Sequence, residues 1–211
     1  MQTQSIYLGT SGWKFDDWKG VFFPTTQTDE LVLYARRFNT VEIDSTWYRT
    51  PAKHVVESWR KRVPDGFRFS AKVPREITHD RGLVDCTEQL QQFLDAMSHL
   101  EDRRGPILFQ FPPTWNTAEG ARALKQFLPH LPPDWQFAME FRHRSWFRDE
   151  VAKWLQDYGV AWTLADTGSF LTGAHELPVY ATSDFTYIRW LGDRYEPLEP
   201  LNEVKKDRSQ E

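Results

Sequence analysis

Seven short apolar runs, each ending in polar or charged residues, recur along this chain. They cover residues 6–11, 41–44, 67–72, 107–110, 137–142, 161–166 and 185–190, and segments with helical periodicity lie between most of them. Alternating strands and helices predict a parallel sheet with helices packed outside it. Folds of this kind place their sites at the carboxyl ends of the strands, where the polar residues of these runs lie. The predicted fold class is therefore α/β, a (β/α) barrel of parallel strands.

Five helical segments fill the intervals between the runs. They cover about residues 29–38, 53–62, 85–100, 118–127 and 149–158. Asp85 and Glu88 have the spacing of a capping box with Asp in the Ser/Thr position. Asn116 is a candidate N-cap of the fourth helix, and Gly159 is a candidate C′ residue of the fifth.

The chain after Gly192 has a different composition. Residues 193–211 are dominated by charge, are interrupted by Pro197 and Pro200, and contain no apolar run that could form an eighth strand. A complete eight-stranded barrel takes about 250 residues. Either the barrel has seven strands or the chain stops before the last βα unit, and we favour the second interpretation. We expect one domain over residues 1–192, a poorly ordered polar tail over residues 193–211, and open barrel edges through which copies could associate.

Net charge and cysteine content argue against several classes of protein and site. The formal net charge of −4 argues against a general nucleic-acid coat, which would be basic. The single cysteine, Cys86, excludes an intramolecular disulfide and a cysteine-rich zinc site, and we interpret it as a small residue at a helix start. Residues 1–5 show no signal-peptide pattern, and no apolar stretch approaches the roughly 20 residues that span a bilayer. A cytoplasmic protein without membrane contact is the expectation.

Alternation along the strands brings polar residues from separate runs to one face. Glu42 and Asp44 share a face, and so do Ser70 and Lys72, because successive side chains of a strand point to opposite sides. If this face points into the barrel, its upper part collects eight polar side chains. These are Glu42, Asp44, Lys72, Gln110, Glu140, Arg142, Asp166 and Arg189. The opposite face, which should pack under the helices, carries Ile43, Phe69, Met139, Phe141 and Ile188.

This charged set admits two interpretations. It is either a structural ion-pair network, since an isolated buried charge costs several kcal/mol, or a binding or catalytic pocket that supplies acid, base and anion-binding groups. We favour the pocket because the charges come from separate strands and lie at the same end.

The loops after the predicted strands are rich in aromatic residues. They include Trp13, Trp18, Phe22, Phe23, Trp47, Tyr48, Trp115, Trp146 and Phe147. Such rings either stack on sugars or bases or form a hydrophobic lid core. The sequence has no His-x-x-x-His spacing and no phosphate-binding glycine loop. No cofactor is predicted, although Glu42, Glu140, Asp166 and a loop histidine could hold a divalent metal.

Several motifs resemble a widespread bacterial and archaeal family, domain of unknown function 72. They are GTSGW at 9–13, VEIDSTWYRTP at 41–51, FRFSAKVP at 67–74 with ITH at 77–79, LFQFPP at 108–113, EFRHRSWF at 140–147 and YIRWLG at 187–192. The resemblance covers about residues 6 to 192 and implies a TIM barrel, similar to sugar-isomerase and endonuclease IV-like barrels. It implies no activity. Family members usually continue through a further helix and an eighth strand. The resemblance therefore implies that this chain is a barrel with seven visible strands that lacks the eighth βα unit.

The first functional hypothesis is an enzyme acting on a small polar or anionic substrate, such as a sugar phosphate or a nucleotide-like molecule. The predicted catalytic residues are Glu140, Lys72, Asp166 and Glu42. The predicted substrate-binding residues are Ser11, Trp13, Asp44, Tyr48, Gln110, Arg142, His143, Trp146 and Arg189. Glu140 would be the general acid or base, Lys72 or Arg189 the electrophilic partner, and Arg142 the anion clamp.

Two other hypotheses belong to different classes. By analogy with endonuclease IV-like barrels, the chain could bind or process nucleic acid, with aromatic loops holding a flipped base. It could also be a truncated, non-catalytic remnant that associates through its open edge. Binding without salt dependence would argue against the nucleic-acid hypothesis. Cooperative unfolding of the chain as a monomer would argue against the remnant hypothesis.

Overall fold

Five strands form a central parallel sheet whose order follows the chain. The computed structural model describes residues 5–24, 29–166 and 178–191. The strands are β1 (Thr40–Ile43), β2 (Arg68–Lys72), β3 (Arg104–Gln110), β4 (Phe137–Glu140) and β5 (Ala161–Trp162). Their register places Glu42 beside Ser70 and Gln110 beside Glu140, so polar residues of neighbouring strands lie side by side. The predicted polar tail at 193–211 lies outside the described residues.

The sixth predicted run is divided between two sheets. After β5, the strand β6 (Leu164–Asp166) pairs in parallel with β7 (Ile188–Trp190). The N–H of Thr163 donates to the carbonyl of Met139, and the N–H of Leu164 donates to the carbonyl of Tyr187, each at 2.9 Å. The run therefore pairs with β4 through its first half and with β7 through its second half.

The first predicted run makes a single parallel bridge instead of a strand. Ser11 pairs with Glu42, and the N–H of Glu42 donates to the carbonyl of Thr10 at 3.0 Å. Further upstream, the Asn39 side chain accepts from the Leu8 N–H and donates to the Ile6 carbonyl. The prediction of a strand over residues 6–11 is wrong because this side chain replaces the sheet as partner, and residues 6–8 bury no apolar face.

Side chains of the two sheets meet on one side of the five-stranded sheet. The Tyr187 hydroxyl, just before β7, lies 2.9 Å from the Ser70 hydroxyl on β2, and Arg189 on β7 contacts Glu42 on β1. The Arg189 guanidinium also contacts Glu140 on β4, and one side chain can reach both β1 and β4 of the five-stranded sheet only if that sheet is curved. The molecule is an α/β fold whose concave side is filled from both ends.

Five α-helices lie within the described residues. They are α1 (Glu30–Tyr34), α2 (Lys53–Lys61), α3 (Thr87–Met97), α4 (Thr117–Phe127) and α5 (Asp149–Asp157). The first is shorter than predicted, because the chain beyond Tyr34 continues as a hydrogen-bonded turn to Phe38. Asn116 caps α4 as predicted, since its side chain accepts from the N–H groups of Ala118 and Glu119.

The fifth helix ends in the predicted glycine cap. Gly159 has φ 64°, the left-handed conformation that glycine adopts without steric cost. Its N–H donates to the carbonyl of Gln156, and the N–H of Val160 donates to that of Leu155. These two bonds form a Schellman motif that satisfies the last carbonyls of α5.

The predicted capping box of α3 is wrong. Cys86, not Asp85, is the N-cap residue, and its side chain makes no capping hydrogen bond. Asp85 has φ 47°, and its carbonyl accepts from Arg81, so the residue belongs to the preceding turn. The interpretation of Cys86 as a small residue at a helix start is confirmed, and the structure adds that the residue is buried.

The main core lies between the convex side of the sheet and the helices. Ile43, Phe69, Met139 and Phe141 are buried there as predicted. Ile188 is 48% exposed, contrary to the prediction, because β7 lies outside this covered face. The described ranges contain no helix both long enough and apolar enough to cross a membrane.

Candidate functional site

Arg189 joins two strands through a buried network of ion pairs. Its Nε and Nη2 atoms donate to the two carboxylate oxygens of Glu42 at 3.0 and 2.8 Å, and Nη1 donates to Glu140 Oε2 at 2.6 Å. The Nε of Arg142 donates to the other Glu140 oxygen at 2.6 Å. Glu140 is 0% exposed and Glu42 is 7% exposed. Two carboxylates and two guanidinium groups thus balance one another inside the concave side.

Hydroxyl groups complete the hydrogen bonds of Glu42. Tyr187 donates to Oε2 at 2.8 Å and Ser11 donates to Oε1 at 3.1 Å. Burial, together with the negative charge of Glu42, raises the pKa of Tyr187 well above its ordinary value, so its hydroxyl stays protonated. Burial alone would lower the pKa of Arg189, but Glu42 and Glu140 outweigh it and the net shift is upward.

The sequence left two interpretations of these charges open, and the arrangement matches the structural ion-pair network. Each carboxylate oxygen of Glu140 accepts a short bond from an arginine. Such a carboxylate holds two cations in a fixed geometry. The more exposed polar groups lie around its rim.

Lys72 and Asp44 form an ion pair at this rim. The Lys72 Nζ lies 2.7 Å from Asp44 Oδ1, and the Asp44 side chain is 41% exposed. Thr46 fixes the loop that carries Asp44, because its buried hydroxyl lies 2.7 Å from the carbonyls of both Ile43 and Lys72. The pair therefore links the ends of β1 and β2 and opens to solvent.

Trp47 and His79 lie next to this pair. Trp47 follows Thr46, and His79 lies on a π-helical turn over Glu76–Asp80. Their ring centroids are 5.3 Å apart with an edge-to-face angle of 83°. Burial, with Arg75, Lys72 and Arg142 nearby, lowers the pKa of His79, so the ring is neutral at physiological pH.

Asp166 lies on the face of its strand opposite to the network. The register pairs Ala165 with Arg189 and Asp166 with Trp190, so Asp166 points away from the concave side. It lines a depression of about 270 Å³ with Trp162, Ile188 and Trp190. The prediction that Asp166 shares the inward face with Arg189 is wrong, because strand register, and not charge, decides which face a residue occupies.

Two predicted aromatic ligands pack in the core. Trp146 is fully buried, and its indole N–H donates to the Trp115 carbonyl at 2.7 Å. It also stacks on Trp115 and Phe141, so its predicted substrate contact is wrong. Trp13 lies edge-on to Trp59 at 5.7 Å and is partly buried against the core. The lid-core interpretation holds for Trp146, whereas Trp13 keeps part of its side chain exposed and its predicted substrate contact stays a prediction.

The remaining predicted binding residues occupy different environments. Gln110 is buried on the concave side beside Glu140 in the strand register. His143 is a local cap, since its Nδ1 accepts from the Ser145 N–H at 3.2 Å. Tyr48 is 72% exposed and packs edge-on against Trp47 at 5.0 Å, so it lies open to a ligand beside the rim.

Sequence reasoning omitted Tyr187, Trp47, Arg75 and His79 from the site residues. Tyr187 carried a detectable signal, because strand alternation puts it on the face of Arg189. Trp47, Arg75 and His79 come together only because two loops that follow separate strands approach each other in the folded chain. The sequence pattern does not show this approach.

The described residues contain no group of three or more His, Cys, Asp or Glu side chains arranged to hold a metal ion. The conceivable site of Glu42, Glu140, Asp166 and a loop histidine is not formed. Arg189 bridges the two glutamates, and Asp166 lies on the other face.

Comparison with known proteins places this arrangement in a family. The sequence model described as "Protein of unknown function DUF72" matches residues 7–210. The chain is 37% identical to the UPF0759 protein YecE of Escherichia coli (strain K12) over 142 residues, 67% of this chain and 50% of that protein. It is 30% identical to the UPF0759 protein YunF of Bacillus subtilis (strain 168) over 149 residues, 67% of this chain and 52% of that protein. The chain thus spans about half the length of these curated relatives.

Two solved structures have the same fold over most of this chain. A DUF72 family protein of Thermotoga maritima, TM1631, superposes with a TM-score of 0.76 at 29% identity and covers 90% of this chain and 75% of its own. A DUF72 family protein of Enterococcus faecalis, EF0366, gives a TM-score of 0.75 at 25% identity, with 90% and 72% covered. The matching family model, the sequence identity and the shared fold agree, and the chain belongs to the DUF72 family.

Proposed function

We propose that this chain forms most of a TIM-type (β/α) barrel in one domain over residues 1–192. The parallel strands follow one another in chain order, with helices on the convex side. Contacts of Tyr187 and Arg189 with β1 and β2 support closure, because a flat sheet would hold these side chains far apart.

We further propose an enzyme that acts on a small polar or anionic substrate, such as a sugar phosphate or nucleotide-like molecule, by general acid/base chemistry. The observation that carries this proposal is the rim at the ends of β1 and β2. There the Lys72–Asp44 pair opens to solvent beside Trp47, Tyr48 and His79. Mixed charge, an exposed ring and a titratable group in one place suit recognition of a polar substrate.

We propose roles that differ from those of the sequence hypothesis. Glu42 and Glu140 hold Arg189 and Arg142 in place, so we propose them as positioning residues. Lys72 is the electrophilic group, because its ammonium lies at the rim and can stabilise developing negative charge. Asp44 keeps Lys72 oriented at 2.7 Å.

A thermal-shift panel tests the proposal. Sugar phosphates, nucleotides, abasic-site DNA and divalent metals are added separately at two salt concentrations. A ligand at about 100 times its Kd stabilises the folded state by about 2.7 kcal/mol, which corresponds to roughly 5–11 °C in Tm for a chain of this size. We expect such a shift with one small anionic molecule, its loss in Lys72→Met, and its retention in the matched surface control Lys153→Met.

Two outcomes oppose the proposal. A shift produced only by DNA and abolished by salt indicates nucleic-acid binding, since counterion release makes that affinity steeply salt-dependent. If Lys72→Met retains full turnover of an identified substrate, the role given to Lys72 is wrong.

A further inference from the structure

Three basic side chains border the indole ring of Trp47. The Lys72 ammonium lies 5.7 Å from the ring centroid, the Arg75 guanidinium carbon 5.3 Å, and the His79 ring centroid 5.3 Å. Lys72 comes from β2, whereas Arg75 and His79 come from the turn that follows it. Cations at these distances are attracted to the face of an aromatic ring, so Trp47 helps to hold the basic side chains in place.

The loops that carry these side chains are held from below. Thr46 bonds the loop of Trp47 to the carbonyl of Lys72. The turn of His79 contains buried Ile77 and Thr78, and the Thr78 hydroxyl lies 2.9 Å from Nδ1 of His79. With Nδ1 engaged, Nε2 is the ring nitrogen available to a ligand. π-Helical turns of this kind are frequent at functional sites.

The carboxylates around His79 leave positive charge dominant. Asp80 on its own turn favours protonation of the ring, and it is outweighed by burial and by Arg75, Lys72 and Arg142, which keep the ring neutral. Asp44, the partner of Lys72, and Asp80, the partner of Arg75, have side chains 41% and 48% exposed. The Arg75–Asp80 pair is exposed on both sides and is therefore weak, so an incoming anion can replace Asp80. Lys72 is only 11% exposed, and Asp44 is the solvent-facing member of its pair.

The indole N–H of Trp47 is a further donor at this place. Its nitrogen is buried and has no hydrogen-bond partner among the described residues. Buried donors in folded proteins are almost always satisfied by protein, water or a bound molecule. This unpaired N–H is an observation independent of the charges, and it also favours an acceptor such as an oxyanion.

We propose that Lys72, Arg75 and His79 around Trp47 form a subsite for the phosphate group of the substrate, and that His79 takes up a proton from solvent when this dianion binds. The inference rests on the proposed function, since it names the substrate class of the same site. A tetrahedral dianion suits the set, because a guanidinium fork, an ammonium and an imidazolium offer many donors to its oxygens. The proton moves from buffer to the ring nitrogen that carries no hydrogen in the neutral ring, and no covalent bond to the ligand forms or breaks. His79 thereby becomes a positively charged donor only in the occupied site.

Linkage determines the pH dependence of this binding. A bound dianion offsets the surrounding cations, so the protonation midpoint of His79 rises in the complex. Affinity then increases as pH falls between the two midpoints, by up to about tenfold per pH unit for one proton taken up. Sulfate is the appropriate probe because it stays dianionic, whereas a phosphate monoester itself titrates near about pH 6.

The experiment is an NMR titration of the histidine imidazole signals over pH, with and without sulfate, combined with calorimetry in two buffers of different ionisation enthalpy. We expect sulfate to raise the His79 midpoint and to bind with proton uptake. His79→Gln should still bind sulfate but lose the proton uptake. Arg75→Gln, at an exposed position, should weaken sulfate binding while the chain stays folded. His99→Gln, a histidine paired with Glu57 away from the rim, should behave like the parent chain.

The outcomes separate this inference from the proposed function. Sulfate binding without movement of the His79 midpoint, or no sulfate binding at all, overturns the subsite even if the protein turns over a substrate without an anionic group. Coupled sulfate binding in a protein that turns over none of the sugar phosphates or nucleotides supports the subsite and counts against the enzyme.

Discussion

Replacement of Arg189 by Met tests whether the buried network holds β7 to β1 and β4 of the five-stranded sheet. The change removes three hydrogen bonds, two to Glu42 and one to Glu140, and leaves both carboxylates buried. Removing one partner of a buried ion pair typically costs about 3–5 kcal/mol, because the remaining charge stays desolvated. Glu140 keeps Arg142, and Glu42 keeps Tyr187 and Ser11, so the lower half of this range is expected.

The assay is equilibrium unfolding in urea, supported by thermal unfolding. For a chain of this size, about 3–4 kcal/mol corresponds to a fall in Tm of roughly 6–16 °C. The control is Lys153→Met, which removes an exposed pair with Asp157 and should cost only about 0.3–0.5 kcal/mol. Arg189→Lys should recover little of the loss, since an ammonium cannot reproduce the bidentate bond to Glu42.

A double-mutant cycle with Glu42→Gln sharpens the test. Because the two residues are in direct contact, their effects should not add, and a coupling of about 1–3 kcal/mol is expected. If Arg189→Met costs no more than Lys153→Met, or if its effect adds to that of Glu42→Gln, the network does not stabilise the fold as described.

Three further predictions concern other parts of the molecule. Burial raises the pKa of the Cys86 thiol to about 11, so the native chain should react with a thiol reagent at pH 8 far more slowly than the unfolded chain; equal rates would contradict its burial. The pKa of Tyr187 is raised in the folded state, so its contribution to stability is complete below pH 10 and is lost as the pH rises further. The variant Tyr187→Phe should therefore show a smaller loss of Tm at alkaline pH than the parent chain. A Cβ atom at Gly120 would lie 2.3 Å from the Trp115 ring, so Gly120→Ala should destabilise by about 1–3 kcal/mol despite its better helix propensity. A Gly120→Ala chain as stable as the parent in urea unfolding would show that Trp115 can move aside.

The sequence predicted the elements whose signals are local. Asn116 and Gly159 mark the ends of their helices because a cap is made by side-chain or backbone groups a few residues away. The alternation of Glu42 with Ile43 correctly separates the concave side from the core, since side-chain direction along a strand has a fixed period of two.

The errors arose where long-range register decides the outcome. Asp166 belongs to a run that looks continuous, yet its pairing with Trp190 turns it away from Arg189. Residues 6–11 have a strand-like composition, but the Asn39 side chain takes their backbone bonds. Neither partner is visible from local pattern, because each lies more than twenty residues away.

The sequence by itself determined the βα alternation, the placement of polar residues at strand ends and the family, because these depend on period and motif. Only the tertiary structure decided that Glu140 is a buried partner of two arginines and that Trp47 and His79 meet at the rim. Curvature of the sheet and the approach of two loops create these contacts. The energy of burying a charge depends on its neighbours in space, and a linear pattern does not specify which neighbours those are.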